Sequence, residues 1–291
     1  MDRIEVLKTY KIYVGGKFPR TESGRYYTPE GIGGKPLGNI CQSSRKDFRN
    51  SVVAARSALG TWASRAAFNR SQILYRMGEM LESRRAQFED ELQKQGSTAA
   101  AARKEVDAAI DRCVYYAGWC DKYQQVFSSV NPVSSAHFNF SAYEPVGVVA
   151  AFAPEDSSLI GLLGLILPVI AGGNSVVALA SESKPLCSVT FAEVLATSDL
   201  PGGVVNILTG NRAEILPIAS THMDVNALVA SDLSPSDKAQ VREDSAGNLK
   251  RVILHKEDIA KEESPYTILA TQELKTTWHP IETSIAGGSK Y

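Results

Sequence analysis

The chain has 291 residues, 44% of them hydrophobic and 22% charged, with a formal net charge of −1. This is the composition of a soluble globular protein with room for one large domain or two small ones. A balance this close to neutral offers no basic surface to nucleic acid or to an acidic membrane.

The opening "MDRIEVLKTYK" alternates charges with single apolar residues, so it does not read as a secretory leader. "YKIYVGGKFPR" alternates around Gly15-Gly16, a pair suited to a two-residue hairpin turn. A glycine-rich polar stretch runs to about Ile40. From Arg45 to Gln125 there is no proline, and apolar residues recur at helical spacing. Phe48, Val52, Ala55 and Leu59 share one face; Ile73, Met77, Met80 and Leu81 share another. Cys113 and Cys120, seven residues apart, lie on one helical face, and neither they nor Cys41 and Cys187 form a CxxC pair. These read as core thiols of a reducing compartment, the cytoplasm, and not as a disulfide framework or a zinc site.

"SSAHFNFSAY" changes to period two. Phe138, Phe140 and Ala142 point one way, and His137, Asn139, Ser141 and Tyr143 the other, with His137 on the exposed face of an edge or antiparallel strand. Apolar strands then alternate with helices. "EPVGVVAAFA", "NSVVALA", "GGVVNILTG" and "VNALVAS" read as strands, and "SSLIGLLGLILPVIAGG" and "AEILPIASTH" as helices. "PLCSVTFAEVLATSD" reads as an amphipathic helix. This alternation predicts an α/β fold with a doubly wound, Rossmann-like parallel sheet. Ser157 to Ser181 carries no charged side chain, but Pro168, Asn174 and the break at "AGGN" argue against a membrane span. After Ser231 the chain turns polar, then gives a strand "RVILH", a charged stretch "KEDIAKEESP" and a closing strand-like segment "YTILATQELKTTWHPI".

The turn at 153–158, Ala-Pro-Glu-Asp-Ser-Ser, stands where α/β proteins place ligands. It reads either as an acid or serine site, or as an N-cap for the following helix through Asp156 and Ser157. No histidine stands near it in sequence, and His222, His255 and His279 have no metal-ligand spacing, which favours the cap.

"YVGGKF", "AARSALGTWA", "NRSQILYRMGEML", "EPVGVV", "LPVIAGGNSVV", "ATSDLPGGVVNILTG" and "HMDVNAL" follow one another over residues 10–232. In this the chain resembles the aldehyde dehydrogenase superfamily. "AGWCDKY", "DSAGNLK" and "KTTWHP" make it most similar to the degenerate C-terminal half of the two-domain family-16 members. The resemblance implies a cofactor domain for NAD or NADP and a small antiparallel oligomerisation sheet.

Against the family's motifs the chain departs at each chemical position. The asparagine that polarises the substrate carbonyl falls on Asp156, where a carboxylate would repel an oxyanion. The ribose-binding lysine falls on Leu179, and its companion glutamate is kept as Glu182. The glycine-bearing phosphate turn becomes Ala230, Ser231, Asp232, Leu233, Ser234, Pro235, Ser236, Asp237. The general-base motif falls on Ser245 to Leu249, with Ser245 at the glutamate position. No cysteine has the family's Gly-Gln-x-Cys context, and the catalytic domain is missing between "NLKRVILH" and "TILATQELKTTW".

The resemblance therefore implies no catalytic residue and no metal, and vestigial cofactor contacts at Pro154, Glu182 and Ser231. The expected organisation is a cofactor-domain shell over residues 1–255, which includes the strand at 134–144. A linker at 256–265 and a terminal strand with its tail at 266–291 follow. The function expected is that of a non-enzymatic pseudo-enzyme, a scaffold that pairs through residues 134–144 and 266–281 with a complete aldehyde dehydrogenase domain or with itself. No cofactor, nucleic acid or membrane partner is expected. The alternative is an NAD(P)-binding subunit of an aldehyde oxidoreductase.

Overall fold

The computed structural model of the chain describes residues 6–255 and 259–281. The start of the leader reading, the first part of the charged stretch and the C-terminal tail lie outside them. Short strands β1 (Thr9–Tyr10), β2 (Tyr26–Tyr27) and β3 (Asn39–Cys41) pair in the order β1-β3-β2. The hairpin at Gly15-Gly16 forms as expected: Val14 and Lys17 exchange backbone hydrogen bonds of 2.9 and 3.1 Å across two residues with positive φ. A Cβ on Gly16 would lie 2.9 Å from the Gly202 Cα, so the turn also needs glycine for its close approach to the sheet.

The proline-free region forms α1 (Arg45–Ala63), α2 (Ala67–Ser83), α3 (Arg85–Lys94), α4 (Ala99–Trp119) and α5 (Tyr123–Phe127). A capping box starts α1: Ser44 accepts from the Asp47 N–H, and the Asp47 carboxylate accepts from the Ser44 N–H at 2.8 Å. Phe48, Val52 and Ala55 are buried on the expected face.

Next come β4 (Ser129–Asn131), β5 (His137–Pro145), β6 (Val148–Phe152), α6 (Ile160–Ala171), β7 (Ser175–Leu179), α7 (Leu186–Ala196), β8 (Val205–Leu208), α8 (Arg212–Thr221), β9 (Ala227–Ala230), α9 (Pro235–Ala246) and β10 (Arg251–Leu254). Strands β6 to β10 make one parallel sheet in the order β10-β9-β6-β7-β8. The expected doubly wound fold is therefore present. Strand residues alternate between two cores. Val149, Ala151, Val176 and Ile207 face the side of α4, α6 and α7. Val148, Ala150, Val177 and Leu208 face the side of α1, α8 and α9. Strands β6 to β9 are buried on both faces, which is why they read as unbroken apolar runs.

Helix α7 differs from its amphipathic reading. It is buried on almost every side, because α2 and α3 cover the face turned away from the sheet. The closing segment also differs. Tyr266–Ala270 is a helix, α10, which packs on α6, and the strand β11 (Gln272–Pro280) begins only after it. From β10 the chain passes through residues 255–271 directly into β11, with no further domain between them.

β11 pairs antiparallel with β5 over its full length, and β5 pairs with β4, giving the small sheet β11-β5-β4. Its two faces alternate as expected, but the exposed face is the other one. Val130 and Phe138 are exposed, whereas Asn139 and Ser141 are buried. The polar row tolerates burial because neighbouring strands supply partners. Asn131 donates to Asn139 at 2.6 Å and to Ser141 at 2.9 Å, and the Ser141 and Thr276 hydroxyls lie 2.8 Å apart.

Candidate functional site

In a doubly wound sheet the strand order reverses at one place, and the carboxyl ends of the two strands there open a crevice. Here that place lies between β6 and β9, since β7 and β8 follow on one side of β6 and β10 on the other. Pairing of Phe152 with both Leu179 and Ala230 brings the turns after β6, β7 and β9 to one edge. Pro154, Glu182 and Ser231 lie in these three turns, so the sheet does bring them to the same edge.

The crevice is spanned by the protein's own side chains. The Glu155 N–H donates to the Asp232 carboxylate at 2.9 Å, joining the turns after β6 and β9. Asp232 holds a positive φ of 53°, a conformation aspartate adopts more readily than most residues. The other end of Glu155 reaches the turn after β7: its carboxylate accepts from the backbone N–H groups of Glu182 at 2.9 Å and Ser183 at 3.2 Å. Arg212, the first residue of α8, enters between them. Its guanidinium lies 2.8 Å from Asp232 and 3.1 Å from Glu155, and donates also to the Ala153 carbonyl.

The residues expected as vestigial cofactor contacts are engaged elsewhere or closed in. The Glu182 carboxylate accepts from the Asn211 amide at 3.1 and 3.2 Å, and Asn211 in turn caps α8 through the Glu214 N–H. The Ser231 hydroxyl is buried with no hydrogen-bond partner among the described residues. Pro154 packs against Gly161 of α6. The N-terminus of α9, which would face a phosphate, is satisfied by Ser234 at 3.1 Å from the Asp237 N–H, with the Asp237 carboxylate in the first turn. The carboxylates of Glu155, Asp156, Glu182 and Asp232 outnumber the cations Arg212 and Lys184 in this crevice. A pyrophosphate brought here meets repulsion and no free helix terminus. The residues present do not fit a dinucleotide in this arrangement.

The helix cap is also built differently from the sequence reading. Asp156 does not cap α6; its carbonyl accepts from Lys184 at 2.7 Å. Ser157 accepts from the Gly161 N–H at 2.8 Å, and Glu105 of α4 accepts from the N–H groups of Leu159 at 3.1 Å and Ile160 at 3.2 Å. A carboxylate beside a helix N-terminus is favourable both as a cap and toward the dipole. Replacing Glu105 by alanine is expected to lower stability by about 1–2 kcal/mol, read as a shift of the urea midpoint at constant slope.

Ser245 does not occupy a base position. It sits near the end of α9, buried and before β10 begins, at the sheet edge opposite the crevice. The residue that follows the carboxyl end of β10 is His255, with its Nδ1 3.0 Å from the Glu262 carboxylate. All four cysteines are free and buried. Burial pushes the thiols of Cys113 and Cys120 up to about 12 and that of Cys187 well above its usual range. Among the described residues no cluster of potential metal ligands occurs, and no helix is long and apolar enough to cross a membrane.

Sequence reasoning placed Glu155 in the turn as a possible acid without showing its tie to Asp232 and the turn after β7, and it missed Arg212 and Glu105. Tyr27 was missed too. Its buried hydroxyl has no partner among the described residues, and burial, then the charges of Glu182 and Glu155, raise its pKa. Nothing local in "TGNRAE" marks Arg212 as a crevice residue; that depends on which turns the sheet brings together.

Residues 19–257 match the model of the aldehyde dehydrogenase family. The chain belongs to that family. It is 28% identical over 249 residues to the D-glyceraldehyde dehydrogenase (NADP(+)) of Thermoplasma acidophilum, covering 84% of this chain and 49% of that protein. It is 27% identical over 263 residues to the human mitochondrial 10-formyltetrahydrofolate dehydrogenase, covering 87% of this chain and 28% of that protein. Among solved structures, an NAD+ complex of an aldehyde dehydrogenase from Bacillus cereus superposes with a TM-score of 0.80 at 25% identity, covering 85% of this chain and 50% of that one. The chain thus spans about half or less of the length of these relatives. The expectation that it is no enzyme is corrected by these matches: it is an aldehyde dehydrogenase family chain, and its relatives are named for dehydrogenase activity.

Proposed function

We propose that this aldehyde dehydrogenase family chain works as one part of an aldehyde-oxidising, NAD(P)-linked assembly, which it joins through the sheet β11-β5-β4. The observation that supports this reading is the outer edge of β11. Gln272–Pro280 forms a nine-residue edge strand paired on one side. Such an edge is a template for another strand. Leu274 and Trp278, on one face of it, are 56% and 57% exposed, and Val130 and Phe138 present apolar surface on the other face. The partner that fits is the sheet of a complete aldehyde dehydrogenase domain, which would supply the other half of the relatives' length and the dinucleotide.

Co-expression with a full-length family member from the same organism tests this, with light scattering behind size exclusion as the readout. A mixed complex is expected, with slowed amide exchange along β11. The double variant Leu274→Lys/Trp278→Lys is expected to abolish it, because charges on an edge discourage strand addition. Both side chains are more than half exposed, so the isolated variant should keep its own stability within about 0.5 kcal/mol per site. Self-association of the chain alone would replace the partner with a second copy, and a monomer in every mixture would remove the reading.

A further inference from the structure

We propose that Arg212 is the resident ligand of the switch-point crevice: the chain closes this site with its own guanidinium and two carboxylates and holds it shut without a dinucleotide. The inference concerns the chain alone and does not depend on the partnership proposed above.

Ligand crevices of doubly wound folds are open because the turns flanking the switch point diverge. In this chain those turns are bonded to one another. The Asp232 carboxylate spends one oxygen on the Glu155 N–H and the other on Arg212. The Glu155 carboxylate spends one oxygen on Arg212 and the other on the amides of Glu182 and Ser183. Ser181 and Ser183 donate their hydroxyls to the Glu155 carbonyl, each at 2.9 Å. The turns after β6, β7 and β9 and the start of α8 thereby form one network. Within it, Glu155 supplies an anion to backbone amides and Arg212 supplies the matching cation.

The guanidinium suits this role and an ammonium does not. Its planar fork reaches Asp232 through one terminal nitrogen and Glu155 and the Ala153 carbonyl through the other. The Arg212 side chain is only 16% exposed, whereas the carboxylates remain more than a third exposed. The network is thus a closed plug with a wet rim. A dinucleotide could enter only by expelling Arg212 and leaving two carboxylates facing its pyrophosphate.

The test is thermal melting of the chain by circular dichroism, with NAD+, NADH, NADP+ and NADPH each titrated to millimolar concentration. The wild-type Tm is expected not to move with any of them. Arg212→Ala is expected to melt roughly 4–8 °C lower. Millimolar guanidinium is expected to recover part of that loss in Arg212→Ala, and to lower the wild-type Tm slightly as a denaturant. Should Arg212→Ala not be obtained folded, Arg212→Lys decides: a single ammonium cannot span both carboxylates, so it too should melt below wild type. A saturable rise in wild-type Tm with any of the four dinucleotides would overturn the proposal. So would a variant that melts with the wild type.

Discussion

Above pH 9 the folded chain is expected to lose stability steeply, and buried thiols are the reason. Burial raises Cys113 and Cys120 from 9.0 to about 12, and raises Cys187 well above 9.0, with the Glu91 charge adding to the last. The unfolded chain releases these protons above its ordinary thiol pKa, while the folded chain keeps them. The folded state therefore binds more protons, and stability falls as pH rises. This contribution is fully present below pH 9.0 and is lost as pH climbs toward about 12. One pKa unit corresponds to about 1.4 kcal/mol per group, so three thiols together withdraw on the order of 4 kcal/mol per pH unit within the window.

Lys250 acts in the opposite sense. Burial lowers its pKa from 10.5 to about 8, so between those values the folded state gains stability relative to an unfolded chain that still holds the proton. It offsets about one thiol, and only in the lower part of the window. Above pH 10 the buried tyrosines Tyr10, Tyr27 and Tyr116, also raised by burial, add to the loss. A domain with about 5–15 kcal/mol of stability should therefore hold a shoulder near pH 9 and lose most or all of it by about pH 11–12. Urea midpoints recorded across this range would show it, and Cys113→Ala should make the decline shallower. A midpoint that stays flat to pH 11 would sink the argument.

What the sequence made legible follows from where partners lie. The parallel strands were readable because residues such as Val149 and Val177 are buried on whichever face they point to, which leaves an unbroken apolar run. The Gly15-Gly16 turn was readable because its requirement is local. The burial of α7 was not, because it depends on α2 and α3 lying across its outer side. Nor was the exposed face of β5. Its alternation was plain, but the choice between Phe138 and Asn139 rests on Asn131 and Thr276, which come from other strands.

The candidate site divides in the same way. Family motifs located the crevice turns and the residues that depart from them, Asp156, Leu179 and Asp232. They did not show what fills the space. Glu155 and Asp232 are 77 residues apart, and Arg212 stands in a third turn. Their meeting is a consequence of strand order alone. Ser245 differs for a related reason: α9 begins at the crevice edge but runs back along the sheet, so its end, with Ser245, lies at the opposite edge.

Removing the side chain of Arg112 is expected to destabilise the chain by about 3 kcal/mol and to release the segment that joins β10 to β11. The charged composition of 256–265 suggested a linker, but its described part is a packed seam. Arg112 of α4, almost fully buried, donates to the carbonyls of Ile259 at 3.2 Å and Ala260 at 3.0 Å and to the Glu263 carboxylate at 3.3 Å. Tyr116, one helical turn on, holds Thr267 at 2.7 Å. Ile259 is buried over Gly164 of α6, where an added Cβ would lie 2.9 Å from its carbonyl oxygen. Loss of the guanidinium strands the buried Ile259 carbonyl and takes a donor from the part-buried Ala260 carbonyl, and that penalty exceeds the value of the half-exposed ion pair with Glu263. Arg112→Lys should recover little, since one ammonium cannot serve three acceptors in a fork. Gly164→Ala should loosen the same seam from the other side through its clash with Ile259. Two readouts separate this from a general loss of packing: the urea midpoint, and the rate of proteolytic cleavage within 256–265. Faster cleavage at that segment in all three variants is the expected pattern. Variants that lower the midpoint and leave cleavage there unchanged would show that Arg112 supports α4 and not the seam, and the short path from β10 to β11 would then have to be held by α10 on α6 alone.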